Sequence, residues 1–388
     1  MNRRVEIALV RGDGSGPELM DAACRITAVA AKKYNDLDVV WVETPMGWSA
    51  FDEYGDTYPE PSRKTVKRCG IVFFGGVGNP ELDDTLGEQH PGMKPEGRCL
   101  LGLREDLGLL VNGRPLTIPY DLRHATKIRP EFIPKYGIQQ WWMRYLLEDG
   151  YFGTRDLIGE IPPDLAKRLG IRMKADVTGG ESRLSEFAYY SRARIEKYAR
   201  YGFDFAKRLG MRVINIHKSN ILARSLYWQK IIDEVREEAY GDVPYKSLYV
   251  DAAASMLYQP AIFNAVMLCG NEHGDIISDA ALGAFSMGMM SSFAINPETG
   301  QGMFESGAGT CPELAGMDVA NPIGRILTGA LMFRYGNIAA PQAADAIESA
   351  VWQTLKDGWR TRDIASKNDH PKRIVGTKQM GDLILEQL

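Results

Sequence analysis

Val5-Glu-Ile-Ala-Leu-Val-Arg-Gly-Asp-Gly-Ser-Gly-Pro-Glu18 is the stretch on which the fold turns. Val5–Val10 is short, apolar and β-branched at its ends, and reads as a strand. Gly12-Asp-Gly-Ser-Gly-Pro-Glu18 reads as a turn that opens a helix running through Ala31. The same strand–turn–helix rhythm continues down the chain. Val39–Val42 and Ile71–Phe74 read as strands, the second running into Gly75-Gly-Val-Gly-Asn-Pro80. Tyr189–Arg208 and Pro341–Gly358 have helical periodicity, and Val213–His217 is a further strand. Strands alternating with helices and Gly-rich turns define an α/β architecture around a large, largely parallel sheet. The Gly12–Glu18 turn departs from the dinucleotide fingerprint at its Pro and Glu, so a simple tight turn accounts for it equally well.

A chain of 388 residues is long for one core, and two domains are the expectation. The formal net charge of -4 gives no basic footprint for nucleic acid. Cys24, Cys69, Cys99, Cys269 and Cys311 are scattered, odd in number and free of C-x-x-C spacing, which suits a reducing cytoplasm. Met1–Val10 reads as a first strand rather than a signal peptide, and no apolar run approaches the roughly 20 residues of a membrane span. Thr154–Glu186 breaks the rhythm. Rich in charge, Pro and Gly, it is expected to form a protruding arm that exchanges contacts with a second subunit.

The chemistry-bearing residues are concentrated in few places. Gly270-Asn-Glu-His-Gly-Asp-Ile-Ile-Ser-Asp279 sets Asp275 and Asp279 four residues apart, on one face if the stretch is helical. Asp251 follows an apolar strand-like run. Three carboxylates without a cysteine cluster suit Mg²⁺ or Mn²⁺ better than zinc. A solvated helix face with an incidental acid pair is the competing reading. Arg104 lies inside the apolar Leu100–Leu110 segment, Arg114 is expected at a strand end, and Arg144 precedes Tyr151 in Trp142–Gly153. Guanidinium groups in apolar surroundings need anionic partners, either internal acids or a bound carboxylate or phosphate. Lys218 follows the Val213–His217 strand, as a snorkelling surface side chain or a tuned proton carrier. His217 and His273 read as structural or merely polar.

Taken in order, these segments resemble the β-decarboxylating dehydrogenases, the family of isocitrate, 3-isopropylmalate, homoisocitrate, tartrate and D-malate dehydrogenases. The resemblance runs from Gly12 to Asp363. It is strongest at Leu100-Leu-Gly-Leu-Arg104, Asn112-Gly-Arg-Pro115, Lys218-Ser-Asn-Ile-Leu222, Tyr249-Val-Asp251, Gly274-Asp-Ile-Ile-Ser-Asp279 and Ala320-Asn-Pro-Ile323. It implies a two-domain fold, with residues 1–109 and 287–388 on the cofactor side and 110–286 as the dimerising substrate and metal domain. It implies that Arg104, Arg114 and Arg144 clamp the carboxylates of a malate-like acid. Asp275 and Asp279, with Asp251 from a second subunit, would hold Mg²⁺ or Mn²⁺. Lys218 of that subunit would assist loss of the hydroxyl proton, and Tyr151 would protonate the enol carbon. A homodimer with shared active sites follows.

On the cofactor side the resemblance implies NAD, with Asn220, Glu305, Ala308, Gly309, Glu313 and Asn321 at its site. Ala308 departs from the family's usual histidine. Glu313 falls where NAD-using members carry an aspartate for the ribose hydroxyls, and an acid there would repel a 2′-phosphate. Leu100 and Leu101 would offer apolar surface to the substituent at C3, unless the neighbouring Arg98 turns inward. A 3-alkylmalate, malate or tartrate is therefore expected. A second placement of the motif, through Val177-Thr-Gly-Gly180, would put Ala175 and Ser182 at the Arg and Tyr positions. Oxidation without decarboxylation, or a non-catalytic regulatory subunit binding a carboxylate, are the rival readings.

Overall fold

The computed structural model describes residues 3–153, 188–285, 289–307 and 309–388. The expected arm at 154–186, with the alternative motif inside it, and Ala308 lie outside the described residues. Ten strands form one sheet in the order β2-β1-β3-β10-β9-β4-β5-β8-β6-β7. They are β1 Arg3–Val10, β2 Leu37–Glu43, β3 Ile71–Phe74, β4 Val111–Ile118, β5 Ile138–Tyr145, β6 Val213–His217, β7 Tyr245–Tyr249, β8 Val266–Cys269, β9 Ser291–Ile295 and β10 Gly302–Ser306. Helices cover the sheet, so the fold is mixed α/β.

The parallel pattern expected from the sequence holds at both wings of the sheet. Its centre is antiparallel, where β10 pairs with β9, β9 with β4 and β4 with β5. Strands from the two chain ends occupy one wing, and strands from residues 111–269 the other. The first turn behaves as its glycines suggest. Gly12 has φ +81°, and a Cβ there would lie 2.0 Å from the Gly76 carbonyl oxygen. Asp13 then accepts hydrogen bonds from the backbone N–H groups of Trp48, Ser49 and Gly78, which ties three loops together.

Alternation along β5 explains how the centre of the sheet is filled. Trp141, Met143 and Tyr145 face the largest apolar cluster, beneath the Arg192–Leu209 and Ile323–Tyr335 helices. Trp142 and Arg144 point to the opposite side, because successive side chains in a strand alternate. Asn112 lies opposite Arg144, and Arg114 opposite Trp142, in the β4–β5 register. The three polar side chains therefore share one face.

Arg114 was expected at a strand end, and the structure places it within β4. The apparent breaker, Pro115, is tolerated because β9 pairs with β4 only over Val111–Gly113. Beyond that point one side of β4 carries no ladder, and proline's missing N–H removes little pairing. No helix among the described residues is long and apolar enough to cross a membrane.

Candidate active site

The polar face of β4 and β5 opens into a cleft of about 820 Å³. Its walls include Leu100, Leu101, Arg104, Arg114, Arg144, Tyr151, Asp275 and Asp279, with the Gly76–Pro80 loop, Glu305–Gly307 and Gly309–Glu313 at the far side. A smaller cavity of about 340 Å³ beside Trp141, Tyr335 and Glu348 contains none of the residues singled out from the sequence.

The two aspartates ride on the Asn271–Phe285 helix, where their four-residue spacing puts both toward β4 and β5. Gly274 permits that approach, since a Cβ there would meet the Cys269 Cβ at 3.0 Å and the Arg144 Cβ at 3.2 Å. Arg144 Nη1 donates to Asp275 Oδ1 at 2.5 Å, and Arg114 Nη2 donates to the same oxygen at 2.9 Å. Arg114 Nη1 also reaches Asp279 Oδ1 at 2.6 Å and Ser278 Oγ at 2.9 Å. Tyr151 donates its hydroxyl to Asp275 Oδ2 at 3.1 Å, and the Arg144 guanidinium lies 5.0 Å from the Tyr151 ring centre. Arg104, 2 % exposed, has a long ion pair with Glu305 at 3.4 Å.

Electrostatics in the cleft follow from burial working against charge. Burial raises the Asp275 carboxyl, but Arg144, Arg114 and Arg104 together bring it below the ordinary range. Asp279 goes the other way: its desolvation outweighs the pull of Arg114, and its pKa is raised. Burial lowers the pKa of Arg104, and burial with the Arg104 charge lowers that of Arg144. Burial and the Asp275 charge raise the Tyr151 hydroxyl, favouring a protonated phenol. Removing Asp275 leaves a buried cation cluster without its counter-charge, a change that costs on the order of 3–5 kcal/mol.

Two guanidinium atoms remain unused. Arg104 Nε and Arg144 Nη2 are buried and have no hydrogen-bond partner among the described residues. Such donors are costly to leave unpaired, and a planar carboxylate matches their geometry. The donor set also suits a hard cation, since Asp275 and Asp279 supply oxygen ligands. Among the described residues no group of three or more potential ligands gathers in one chain.

The structure does not bring every expected residue to this cleft. Glu305, Gly309 and Glu313 line it. Asn321 does not; its side chain donates to Asp363 at 3.1 Å and accepts from the Ile323 N–H at 3.0 Å. Asn220 is exposed on the turn after β6. Lys218 and Asp251 pair with each other at 2.6 Å, and neither lines the cleft of its own chain. Arg98 does not turn inward: it makes a two-pronged pair with Asp56, at 3.0 and 2.6 Å.

The sequence reading also passed over the residues that aim the arginines. Asn112 Oδ1 accepts from Arg114 Nε at 3.0 Å, and Asn271 Oδ1 accepts from Arg144 Nε at 2.8 Å. The signal for both was available. Asn112 is two residues from Arg114 on one strand face, and Asn271 is one helical turn before Asp275.

Fold and cleft define the class: an α/β protein whose central sheet presents buried arginines and a helical acid pair to one deep cleft. Comparison with known proteins narrows that class. The family model of isocitrate/isopropylmalate dehydrogenase matches residues 6–384. A 3-isopropylmalate dehydrogenase of Bordetella parapertussis is 35 % identical over 386 residues, covering 99 % of each chain. One from Blochmanniella floridana is 33 % identical over 386 residues, covering 99 % of this chain and 98 % of its own. Among solved structures, isocitrate dehydrogenase from Methylococcus capsulatus superposes with a TM-score of 0.78 at 26 % identity, covering 99 % of each chain. A β-decarboxylating dehydrogenase from Thermococcus kodakarensis gives 0.71 at 26 % identity, covering 99 % of this chain and 96 % of that one. The chain belongs to the isocitrate/isopropylmalate dehydrogenase family and is an oxidoreductase of that kind.

Proposed function

We propose that this chain oxidises a (2R)-malate-type 2-hydroxy acid with NAD and a divalent cation, and that loss of CO₂ follows. A 3-alkylmalate, malate or tartrate is the substrate class. The convergence of Arg104, Arg114 and Arg144 on one cleft, with Arg104 Nε and Arg144 Nη2 unpartnered, carries this reading. Arg104 Nε and Arg144 Nη2 hold the substrate carboxylates through charge-assisted hydrogen bonds, and Arg114 orients them from the floor of the sheet. Leu100 and Leu101 present an apolar wall to the C3 substituent. Arg98 is engaged by Asp56 instead of turning toward that wall.

Asp275 and Asp279, with the partner subunit's Asp251, would hold Mg²⁺ or Mn²⁺. When bound, the cation polarises the substrate oxygens as a Lewis acid and NAD accepts the hydride from C2. The partner subunit's Lys218 takes the hydroxyl proton through its ammonium/amine exchange. Tyr151, held protonated beside Asp275, returns a proton to carbon after CO₂ leaves. Glu313 at the cleft rim favours the ribose hydroxyls of NAD over a 2′-phosphate. This scheme requires a homodimer with shared sites; the division into the two domains drawn above and a cytoplasmic setting, in keeping with five free cysteines, belong to the same proposal.

The test is spectrophotometric NADH formation with Mn²⁺ across 3-isopropylmalate, isocitrate, homoisocitrate, tartrate and D-malate. Turnover with 3-isopropylmalate, tartrate or D-malate, accompanied by CO₂ release, is expected. Turnover confined to isocitrate or homoisocitrate removes the apolar-wall argument, and no turnover with any acid removes the catalytic reading.

A further inference from the structure

Between Arg144 at the end of β5 and Tyr151 the chain makes an unusual turn. Leu147 has φ 67° and Asp149 has φ 73°, both left-handed and neither a glycine. Leucine gains nothing from that conformation, so surrounding contacts must impose it. The next two side chains supply them. Glu148 and Asp149 are each only 1 % exposed, and every carboxylate oxygen is engaged.

Glu148 faces the start of the Arg192–Leu209 helix. It accepts from the Ser191 N–H at 2.8 Å, the Ser191 hydroxyl at 2.6 Å and Arg194 Nη1 at 3.3 Å, and from the Tyr145 hydroxyl. Asp149 faces the Asn271–Phe285 helix. It accepts from the Tyr190 hydroxyl at 2.7 Å, the Gly150 N–H at 3.0 Å and the Glu272 N–H at 3.3 Å, and pairs with Arg224 Nε at 3.2 Å. Asn271 completes the junction. Its Nδ2 donates to the Glu148 carbonyl at 2.8 Å, while its Oδ1 holds Arg144. The turn that carries Tyr151 and the first residues of the helix that carries Asp275 are therefore one hydrogen-bonded unit.

We infer that Asp149 is a positioning residue that holds the Tyr151 turn against the Asp275 helix, with Glu148 securing the turn's other side. Asp149 touches neither reacting atoms nor cofactor; it acts by fixing where the Tyr151 hydroxyl stands. The inference rests on the role proposed above for Tyr151. Asparagine at 149 tolerates the left-handed backbone and keeps the acceptor for Tyr190 and the Glu272 N–H but gives up the pairing with Arg224, so it should rescue function in part. Alanine keeps neither feature. Glycine accepts the backbone angle without strain but leaves the two elements untied.

A double-mutant cycle with Tyr151→Phe decides the matter. Asp149→Ala is expected to lower kcat on the order of 100-fold in the native background, as misplacement of a reacting group does. In the Tyr151→Phe background it should cost no more than about threefold, because the step it serves is already lost. Asp149→Asn should lose clearly less than Asp149→Ala, by about 10-fold in kcat, and an equal loss in the two variants counts against the inference. Equal losses in both backgrounds overturn the inference and leave the role of Tyr151 standing. Full activity in Tyr151→Phe overturns the role of Tyr151 and this inference with it. Should Asp149→Ala fail to fold, Asp149→Gly enters the same cycle. A crystal structure of Asp149→Gly gives an activity-free answer. The Tyr151 hydroxyl is expected out of hydrogen-bond reach of Asp275, and an unmoved hydroxyl overturns the inference.

Discussion

Arg144 and Asp275 are 131 residues apart in the chain, and Arg144 Nη1 meets Asp275 Oδ1 at 2.5 Å. Tyr151 occupies the other oxygen at 3.1 Å, so both oxygens of Asp275 are engaged within one chain. A cation entering here competes with these contacts for the same lone pairs.

The first prediction follows from that competition. Asp275→Asn keeps shape and partial hydrogen bonding but removes the negative charge proposed to hold the cation. The Mn²⁺ concentration for half-maximal activity should rise at least about 10-fold, as for other losses around a metal site. Mn²⁺ binding measured by electron paramagnetic resonance should weaken in parallel. An unchanged titration would remove Asp275 from the metal site.

Lys218 and Asp251 stand outside the cleft of their own chain, which makes the shared-site proposal testable by mixing. Lys218→Ala and Asp275→Asn homodimers should each be nearly inactive. Co-refolded heterodimers should regain activity, because one of the two sites then receives an intact Asp275 from one chain and an intact Lys218 from the other. Failure of any mixture to exceed its parents, with heterodimers demonstrated by native mass spectrometry, argues for a site within one chain.

Glu313 lines the cleft, on the side proposed above for NAD. Glu313→Gln should narrow the preference for NAD over NADP by about 10-fold or more, since a like-charge contact in a specificity site costs more than a kcal/mol. The ratio of kcat/KM for the two cofactors measures it. A ratio that does not move places the discriminating residue elsewhere.

A pH prediction comes from the ion pair that removes Arg98 from the cleft. The hydrogen-bonded Arg98 guanidinium holds the Asp56 carboxyl below its ordinary value, against a smaller opposing effect of burial. A depressed carboxylate contributes stability that is present above its unfolded pKa of about 3.9 and is lost as pH falls through the lower folded value. Asp56→Asn should therefore cost about 1 kcal/mol at neutral pH, the scale of a partly exposed pair, and progressively less as acid is added. Thermal denaturation of both proteins between neutral pH and strong acid reads the difference. A gap that stays constant with pH would mean that packing, not charge, accounts for it.

Much of the fold was legible because its signals are local. The strand at Ile71–Phe74 and the strand at Val213–His217 occur with the expected bounds. The helix under Tyr189–Arg208 starts at Arg192 instead, since Tyr190 and Ser191 are drawn to the buried acids of the 148–149 turn. Arg114 was misplaced to a strand end because Pro115 looks like a terminator until the sheet order shows β4 unpaired on one side there. Glu148 and Asp149 carried no signal at all. Two charged residues beside a glycine read as an exposed turn, and only their partners 41 to 123 residues away make them interior.

The sequence by itself determined the periodicities, the four-residue spacing of Asp275 and Asp279, and the apolar settings of Arg104 and Arg144. These depend on backbone geometry and on neighbours within a helical turn or along one strand. The tertiary structure alone decided which charges meet: Arg144 with Asp275, Arg98 with Asp56, and Lys218 with Asp251 outside the cleft of its own chain. Those pairings depend on sheet order and helix placement. Both are fixed by the burial of residues drawn from every part of the chain, which no local window of sequence contains.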